Sequence, residues 1–345
     1  MKTINLSGSA WDIGHGLGLA GREAWHQQLR QTSLWQTVTA MGQSSELLAM
    51  EQRVRERFPA IWQEIEGLAA GLEAPVSEVF AWNCRGDLVP STSDGCTTVT
   101  GSAGRDEWII AHNEDGFPQL RNACFLVRVR PEKGLAFLSF AYPGSLCGHT
   151  FALNEKGLVN TVNNIRAQVR PAGLPRQILA RASLNAETLQ EAVEILTSSP
   201  RAGAFHHTLG QAGFGVVSVE ACGTGCSVAV INTVSGHANH LIHPEQAATL
   251  QTITASSGER QACLDRWLET QSAHLRPEAA LTVLSSQENA QLPVYRLDPQ
   301  DPDDENTLAT AIFHLTTQGV SWELFGLDRQ QAENSGLGVN LSPCG

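Results

Sequence analysis

The run Asp94-Gly95-Cys96-Thr97-Thr98 sets a thiol directly after a glycine, at the sharpest change of composition in the chain. Gly95 has no Cβ, so a neighbouring thiol can approach its carbonyl closely. Attack by Cys96 on that carbonyl, through a thioester, would cut the chain between Gly95 and Cys96. The product is a new N-terminal cysteine with both a thiol and an α-amine. An α-amine titrates near 7.7–8.0 and a lysine near 10.4, so at pH 7 roughly a tenth of the amine is neutral, against about one part in a few thousand of a lysine. Self-cleavage would therefore create a general base beside the nucleophile. By itself a Gly-Cys pair is equally the mark of a buried small residue.

A second polar group follows at Ile109-Ile110-Ala111-His112-Asn113-Glu114-Asp115-Gly116. It reads as a strand ending in a turn, and strand alternation puts Asn113 and Asp115 on one face. If this strand pairs with the one beginning at Cys96, Asp115 can reach the new ammonium; the alternative is an aspartate that caps a loop. Two readings compete: a chain that stays uncleaved and serves as a non-catalytic binding module, and a metal-dependent hydrolase. His237, His240 and His243 recur every third residue, with His206-His207 elsewhere. In a strand His240 points away from the other two, and Pro244 ends any regular element, so no metal centre is expected there. Cys222 and Cys226 in ACGTGC lack a second pair at zinc-site spacing and read as a glycine-rich turn with two buried small residues.

Around these groups the first 90 residues read as mostly helical. Ile61, Ile65, Leu68 and Leu72 repeat at helical spacing behind Pro59, and a further helix is expected from Ser77 as N-cap. Val89–Gly95 (VPSTSDG) is loop composition. Beyond it strands are expected at 96–100, 108–113, 124–130, 135–140, 158–163, 214–219, 227–232 and 238–242, with a last hairpin over 309–315 and 320–325. Helices are expected near 186–196, 257–269 and 277–286. Runs of strands with helices before, between and after them predict an α+β fold of stacked sheets covered by helices.

Composition sets outer bounds. The chain has 345 residues, 42% of them hydrophobic and 17% charged, as in an ordinary globular protein. A net charge of −12 argues against nucleic acid and anionic membranes as partners. No stretch is long and apolar enough for a membrane helix, and Met1–Gly8 has no apolar core of a secretory signal, so a cytoplasmic location with reduced thiols is expected.

The runs DGCTT (94–98) and WIIAHNEDG (108–116) resemble the acyl-coenzyme A:6-aminopenicillanic acid acyltransferase family, related to the cholylglycine hydrolases within the N-terminal-nucleophile (Ntn) hydrolases. SGSAWDIGHGLG (7–18), AWNCRGDL (81–88), ALNEKGL (152–158), NNIRA (163–167), GLPRQILARASL (173–184), HANH (237–240), SSGERQ (256–261) and TLATAIFHL (307–315) are similar to further family segments in the same order. The resemblance implies one domain over 1–345 with a four-layer αββα sandwich, processed into segments 1–95 and 96–345 that stay associated. It implies Cys96 as nucleophile, Gly95 as the residue before the cut and Asp115 as the group that orients the nucleophile and its amine. It also implies Asn239 and the backbone of Asn154 as oxyanion donors, and Arg260 packed against the nucleophile. Asn163 and His112 are placed nearer the substrate. Relatives often carry Arg or Gln where this chain has His112, an aromatic residue where it has Glu114, and another where it has Gly116. The implied substrate is a small-molecule amide or acyl thioester, the implied reaction hydrolysis or acyl transfer, and no cofactor or metal is called for.

Overall fold

The computed structural model describes residues 1–89, 95–301 and 303–341, so most of the expected loop at 89–95, including Asp94, lies outside the described residues. β1 (Thr3–Gly8) comes first. Six helices follow: α1 (Ala10–Gln27), α2 (Ser33–Thr39), α3 (Ser45–Arg57), α4 (Pro59–Leu72), α5 (Val76–Asn83) and α6 (Arg85–Leu88). Then come β2 (Cys96–Gly104), β3 (Glu107–Gly116), β4 (Phe125–Pro131), β5 (Phe137–Ala141), β6 (Phe151–Asn154) and β7 (Leu158–Ile165). After α7 (Arg176–Ser183) and α8 (Leu189–Thr197) run β8 (Ala204–Gln211), β9 (Gly215–Cys222), β10 (Gly225–Val230) and β11 (Ser235–His237). The chain closes with α9 (Ala255–Leu268), α10 (Pro277–Leu284), β12 (Asn306–Thr316), β13 (Gly319–Phe325), β14 (Asn334–Leu337) and β15 (Asn340–Leu341).

The strands form two sheets, one of eight in the order β1-β4-β5-β6-β7-β8-β9-β10, the other of seven in the order β11-β2-β3-β12-β13-β14-β15. Period-two alternation decides which side chains meet. Leu126, Leu138, Phe140 and Phe151 of the first sheet face Ala311, Phe313, Trp322 and Leu324 of the second, forming the layer between sheets. On the outside of the second sheet Val99, Ile109, Ala111 and Ile312 pack against Leu264 of α9 and Ala280, Val283 and Leu284 of α10. The first sheet is covered by helices too, with Leu158, Leu209 and Val219 packed against Leu179, Ala192 and Leu196 of α7 and α8. These contacts make the expected αββα stack.

The N-terminal helices are locked onto the sheets. α1 and α4 meet backbone to backbone: a Cβ on Gly14 or Gly18 would overlap the α4 backbone at Glu64 or Leu68, and one on Gly67 or Gly71 would overlap the carbonyls of Trp11 or His15. The glycine spacing in residues 7–18 thus serves close helix packing. β1 pairs in parallel with β4 from Thr3↔Leu126 to Gly8↔Pro131, joining the segment before Cys96 to the sheet after it.

The structure corrects several expectations. β1, β6, β8, β11, β14, β15 and α7 are additional to the elements expected from sequence. α5 begins at Val76 behind Pro75, so Ser77 lies inside the helix instead of capping it. Cys222 is buried but Cys226 is exposed, in the β9–β10 hairpin. The expected strand at 238–242 is irregular, because its backbone donors go to side chains. Ala238 N–H donates to Gln261 Oε1, Asn239 N–H to Ser257 Oγ, Leu241 N–H to Gln251 Oε1 and Ile242 N–H to Glu220 Oε1. Four side-chain acceptors substitute for a neighbouring strand and fix Asn239.

Candidate active site

β2 and β3 pair antiparallel with Cys96 opposite Glu114, Thr98 opposite His112 and Thr97 opposite Asn113. Opposed residues share a face, so the register sorts the polar residues into two groups. The Cys96 thiol lies with Glu114, Thr98 and His112 on the face toward the other sheet. Thr97, Asn113 and Asp115 lie on the face toward α9 and α10, where Asn113 donates to the carbonyl of Leu284 at 2.8 Å.

On the helix side, groups converge on the Gly95–Cys96 junction. Cys96 N–H donates to Asn239 Oδ1 at 2.9 Å, and Arg260 Nη2 donates to the same oxygen at 2.7 Å. Those two donations fix the amide orientation, and Asn239 Nδ2 donates to the carbonyl of Asn164 at 3.0 Å. Arg260 also grips the Cys96 carbonyl and, at 2.9 Å, Thr97 Oγ1. Asp115 N–H donates to the Gly95 carbonyl at 2.9 Å. The Asp115 carboxylate is fully buried, and neither oxygen has a hydrogen-bond donor among the described residues. Gly95 is favoured by proximity, since a Cβ there would run into the Glu305 carboxylate and lie 3.2 Å from Asp115 Cβ.

Below the junction sits a buried charge cluster that the sequence did not reveal. Arg166 lies 3.4 Å from Glu305, and Arg296 pairs with both Glu305 and Asp301. Burial pushes the Glu305 carboxyl up while the arginines oppose that shift. Burial pushes Arg260 down, against the pull of Asp115. The acidic run over 301–306 was the available signal, but such runs usually form solvated turns.

On the thiol side, Cys96 Sγ is 3.9 Å from Glu114 Oε2, His112 Nε2 is 3.2 Å from the same oxygen, and the Tyr142 hydroxyl donates to Glu114 Oε1 at 2.9 Å. Sγ, Nε2 and Oε2 all lie within 4.8 Å of one another, so these three residues are the described group close enough to share a metal ion. His112 is fully buried, and burial lowers its pKa to about 3. Asn163 lies behind it, accepting from Thr98 Oγ1 at 2.8 Å.

The histidines of the competing metal reading are each engaged by protein. His237 meets Glu220 at 2.9 Å and stacks on His206 with ring centroids 3.4 Å apart, His240 bonds to Ser257, and His243 contacts Ser218 and Ser227. With Thr98, Thr100 and Ile231, His206, His237 and His243 line a cavity of about 190 Å³ that begins two residues along the β2 face from Cys96.

Of the residues picked from sequence, the structure brings Gly95, Cys96, Asp115, Asn239 and Arg260 together and puts His112 and Asn163 on the thiol side. Asn154 stands apart. It closes the β6–β7 hairpin, donating to the carbonyls of Leu184 and Ala186 and accepting from the amides of Lys156 and Leu158. These bonds take up its side chain in the turn, whereas the oxyanion role implied by the resemblance falls to its backbone N–H. Glu114, Thr98 and Tyr142, the last just after β5, are polar groups of the thiol side that were not among the residues picked from sequence.

The sequence profile of the acyl-coenzyme A:6-aminopenicillanic acid acyl-transferase family matches residues 101–327. The chain belongs to this family. Cys96 lies just ahead of the matched stretch, which contains Asp115, Asn239 and Arg260. The β-alanyl-dopamine/carcinine hydrolase of Drosophila melanogaster is 26% identical over 164 residues, 41% of this chain and 42% of that protein. The 40 kDa form of acyl-coenzyme A:6-aminopenicillanic-acid-acyltransferase from Emericella nidulans is 29% identical over 157 residues, 44% of this chain and 43% of that one. The chain is thus aligned with less than half the length of either relative. Among solved structures, a mutant of the conjugated bile acid hydrolase from Clostridium perfringens gives a TM-score of 0.43 at 10% identity, over 70% of this chain and 96% of that one. Penicillin V acylase from Agrobacterium tumefaciens gives 0.37 at 14% identity, over 67% and 83%.

Proposed function

We propose that the chain cuts itself between Gly95 and Cys96 and that the freed Cys96 is the nucleophile of a small-molecule amidohydrolase. The observation that carries this reading is the convergence on one peptide unit. Asn239 holds the Cys96 nitrogen, Arg260 holds the Cys96 carbonyl, and the Asp115 amide polarises the Gly95 carbonyl. The Asp115 bond continues the β2–β3 ladder, but an ordinary strand start has no need of the Asn239 and Arg260 side chains.

Asp115 supports the same conclusion. A buried carboxylate with no hydrogen-bond donor among the described residues is costly, and the α-ammonium that cleavage creates would supply donors to it. In the processed enzyme the neutral amine takes the thiol proton, the thiolate attacks the amide carbonyl, and the leaving amine departs with a proton. Water then resolves the acyl-enzyme. Loss of one oxyanion donor typically costs about 2.7–4 kcal/mol; the Asn239 side chain is the candidate donor through Nδ2, one of whose hydrogens goes to the Asn164 carbonyl. Association of segments 1–95 and 96–345 after the cut is supported by the β1–β4 pairing and by the buried pair of Glu64 with Arg181, whose nitrogens lie 2.9–3.1 Å from the carboxylate.

The names of the relatives point to amides with a small acyl or amine part, and the cavity beside Thr98 suits a small polar ligand. Hydrolysis is preferred to transfer because water is always available, whereas an acceptor amine needs a site of its own. The test is an intact mass spectrum of the purified protein beside Cys96→Ala. Two fragments split after Gly95 in the wild type and one full-length chain in the variant are expected. A single full-length wild-type chain refutes self-cleavage.

A further inference from the structure

Self-cleavage raises a problem that the processed enzyme does not have. The α-amine does not exist until the bond is cut, so something else must take the thiol proton for the first reaction. Asp115 is badly placed for this, because alternation puts it on the opposite face of the sheet from the thiol. Glu114 is on the thiol's own face, with Oε2 3.9 Å from Sγ.

The proton positions around Glu114 follow from the hydrogen bonds. Asn163 Nδ2 donates to the carbonyl of His237 at 3.1 Å, which turns Asn163 Oδ1 toward Thr98 and His206. The single hydroxyl proton of Thr98 therefore goes to Asn163 at 2.8 Å, and Thr98 Oγ1 accepts from His112 Nδ1 at 2.7 Å. His112 is thereby fixed as the Nδ1–H tautomer, and Nε2 faces Glu114 Oε2 at 3.2 Å. Two lone pairs cannot sit at that distance without repulsion, so one proton is shared between them. Among the described residues, the titratable groups facing Glu114 include Cys96 and His112 across the sheet, Tyr142 just after β5 and Cys124 just before β4, whose thiol is pushed up by burial.

Resting on the self-cleavage reading, we infer that Glu114, backed by His112, is the base that takes the Cys96 thiol proton before the α-amine exists. The thiol proton moves to Glu114 Oε2 as the shared proton moves to His112 Nε2. The thiolate then forms a bond to the Gly95 carbonyl carbon, and the carbonyl electron pair moves onto its oxygen against the Asp115 amide. As the tetrahedral species collapses, the Gly95–Cys96 C–N bond breaks and the leaving nitrogen takes a proton from the Glu114–His112 pair, which regains its starting state. One water then adds to the thioester and the C–S bond breaks, leaving a Gly95 carboxylate and a free Cys96 with thiol and amine. Glu114 acts as the catalytic residue of this step. His112 and Thr98 are positioning residues, acting through the tautomer.

Two readouts test this. In cell-free synthesis, the loss of full-length chain followed by intact mass should be at least about a hundredfold slower in Glu114→Gln than in wild type, the usual range for a positioned base. Glu114→Asp should recover part of the rate. Thr98→Val leaves carboxylate and thiol in place but releases the tautomer, and should both slow cutting and change the pH–rate profile. The second readout is the pH profile of iodoacetamide labelling at Cys96 in uncut chain, which should move to higher pH in Glu114→Gln. Circular dichroism identifies variants that fail to fold; if Glu114→Gln is one, Thr98→Val and Glu114→Asp carry the test. Wild-type cutting matched by Glu114→Gln overturns this inference and leaves self-cleavage standing. A wild type that never cuts overturns self-cleavage, and the labelling profile then decides alone whether Glu114 takes the thiol proton; an unchanged profile overturns that too.

Discussion

Two buried histidines, His206 and His207, should make this fold sensitive to acid. Burial lowers His207 to about 3, and it likewise lowers His112 and His206. A depressed histidine is neutral in the folded state and takes up a proton on unfolding. Its stabilising effect is complete above the unfolded pKa near 6.5 and is lost as pH falls below that value toward the folded pKa. At pH 5 each imidazole that must stay neutral costs the folded state about 2 kcal/mol, at 1.36 kcal/mol per pH unit. One such imidazole is already an appreciable share of a stability of about 5–15 kcal/mol. His207 is the cleanest probe, since it contacts Asn160 at 3.0 Å and is remote from the thiol cluster in the hydrogen-bond network. In a Cys96→Ala background, which keeps one chain, urea unfolding followed by the fluorescence of the eight tryptophans gives ΔG at pH 7.5, 6.5, 5.5 and 5.0. His207→Gln should lose stability on acidification about 2 kcal/mol less than its parent by pH 5, whatever its offset at pH 7.5. Parallel curves over that range would refute the reasoning, because the imidazole would then be as free to protonate folded as unfolded.

Other outcomes follow from packing and charge. Gly67→Ala forces α1 and α4 apart at the Trp11 carbonyl, and overpacking of this kind costs about 1–3 kcal/mol, more than the ~1 kcal/mol of helix propensity gained; a thermal melt should shift down by several degrees. Arg181→Met leaves Glu64 buried without its cation and should cost about 3–5 kcal/mol in urea unfolding, whereas the double change Glu64→Leu with Arg181→Met should recover much of it. Asp115→Asn removes the carboxylate proposed to meet the new ammonium, so any processed enzyme should show a lower amine pKa in the pH profile of kcat/KM.

The outline of the site is legible in the sequence. Gly95-Cys96 at a change of composition and the run His112 to Asp115 at the end of a strand are local features, and period-two alternation already separates Asp115 from Glu114. The hairpin register is not legible, since it depends on the turn around Gly104 and on what each face packs against. The helical pattern of α4 is equally visible, because burying one face repeats every three to four residues. By contrast, 238–242 carries strand-like composition but gives its amides to Gln261, Ser257, Gln251 and Glu220, residues brought together only by the fold. The Asn154 side chain locks the β6–β7 hairpin, a role the letter alone does not announce.

What the sequence by itself determined is the chemistry on offer: a thiol after a glycine, a carboxylate pair on adjacent positions, and enough alternating apolar residues for two stacked sheets. What only the tertiary structure decided is which atom faces which. The β2–β3 register sets Glu114 against the thiol and Asp115 against the Gly95 side, and α9 delivers Arg260 to both Asn239 and Cys96. A proton's position is more distant still from the sequence, since the tautomer of His112 depends on Thr98, Asn163 and His237, contributed by three different strands. Hydrogen bonds act over about 3 Å, and at that range separation along the chain says nothing.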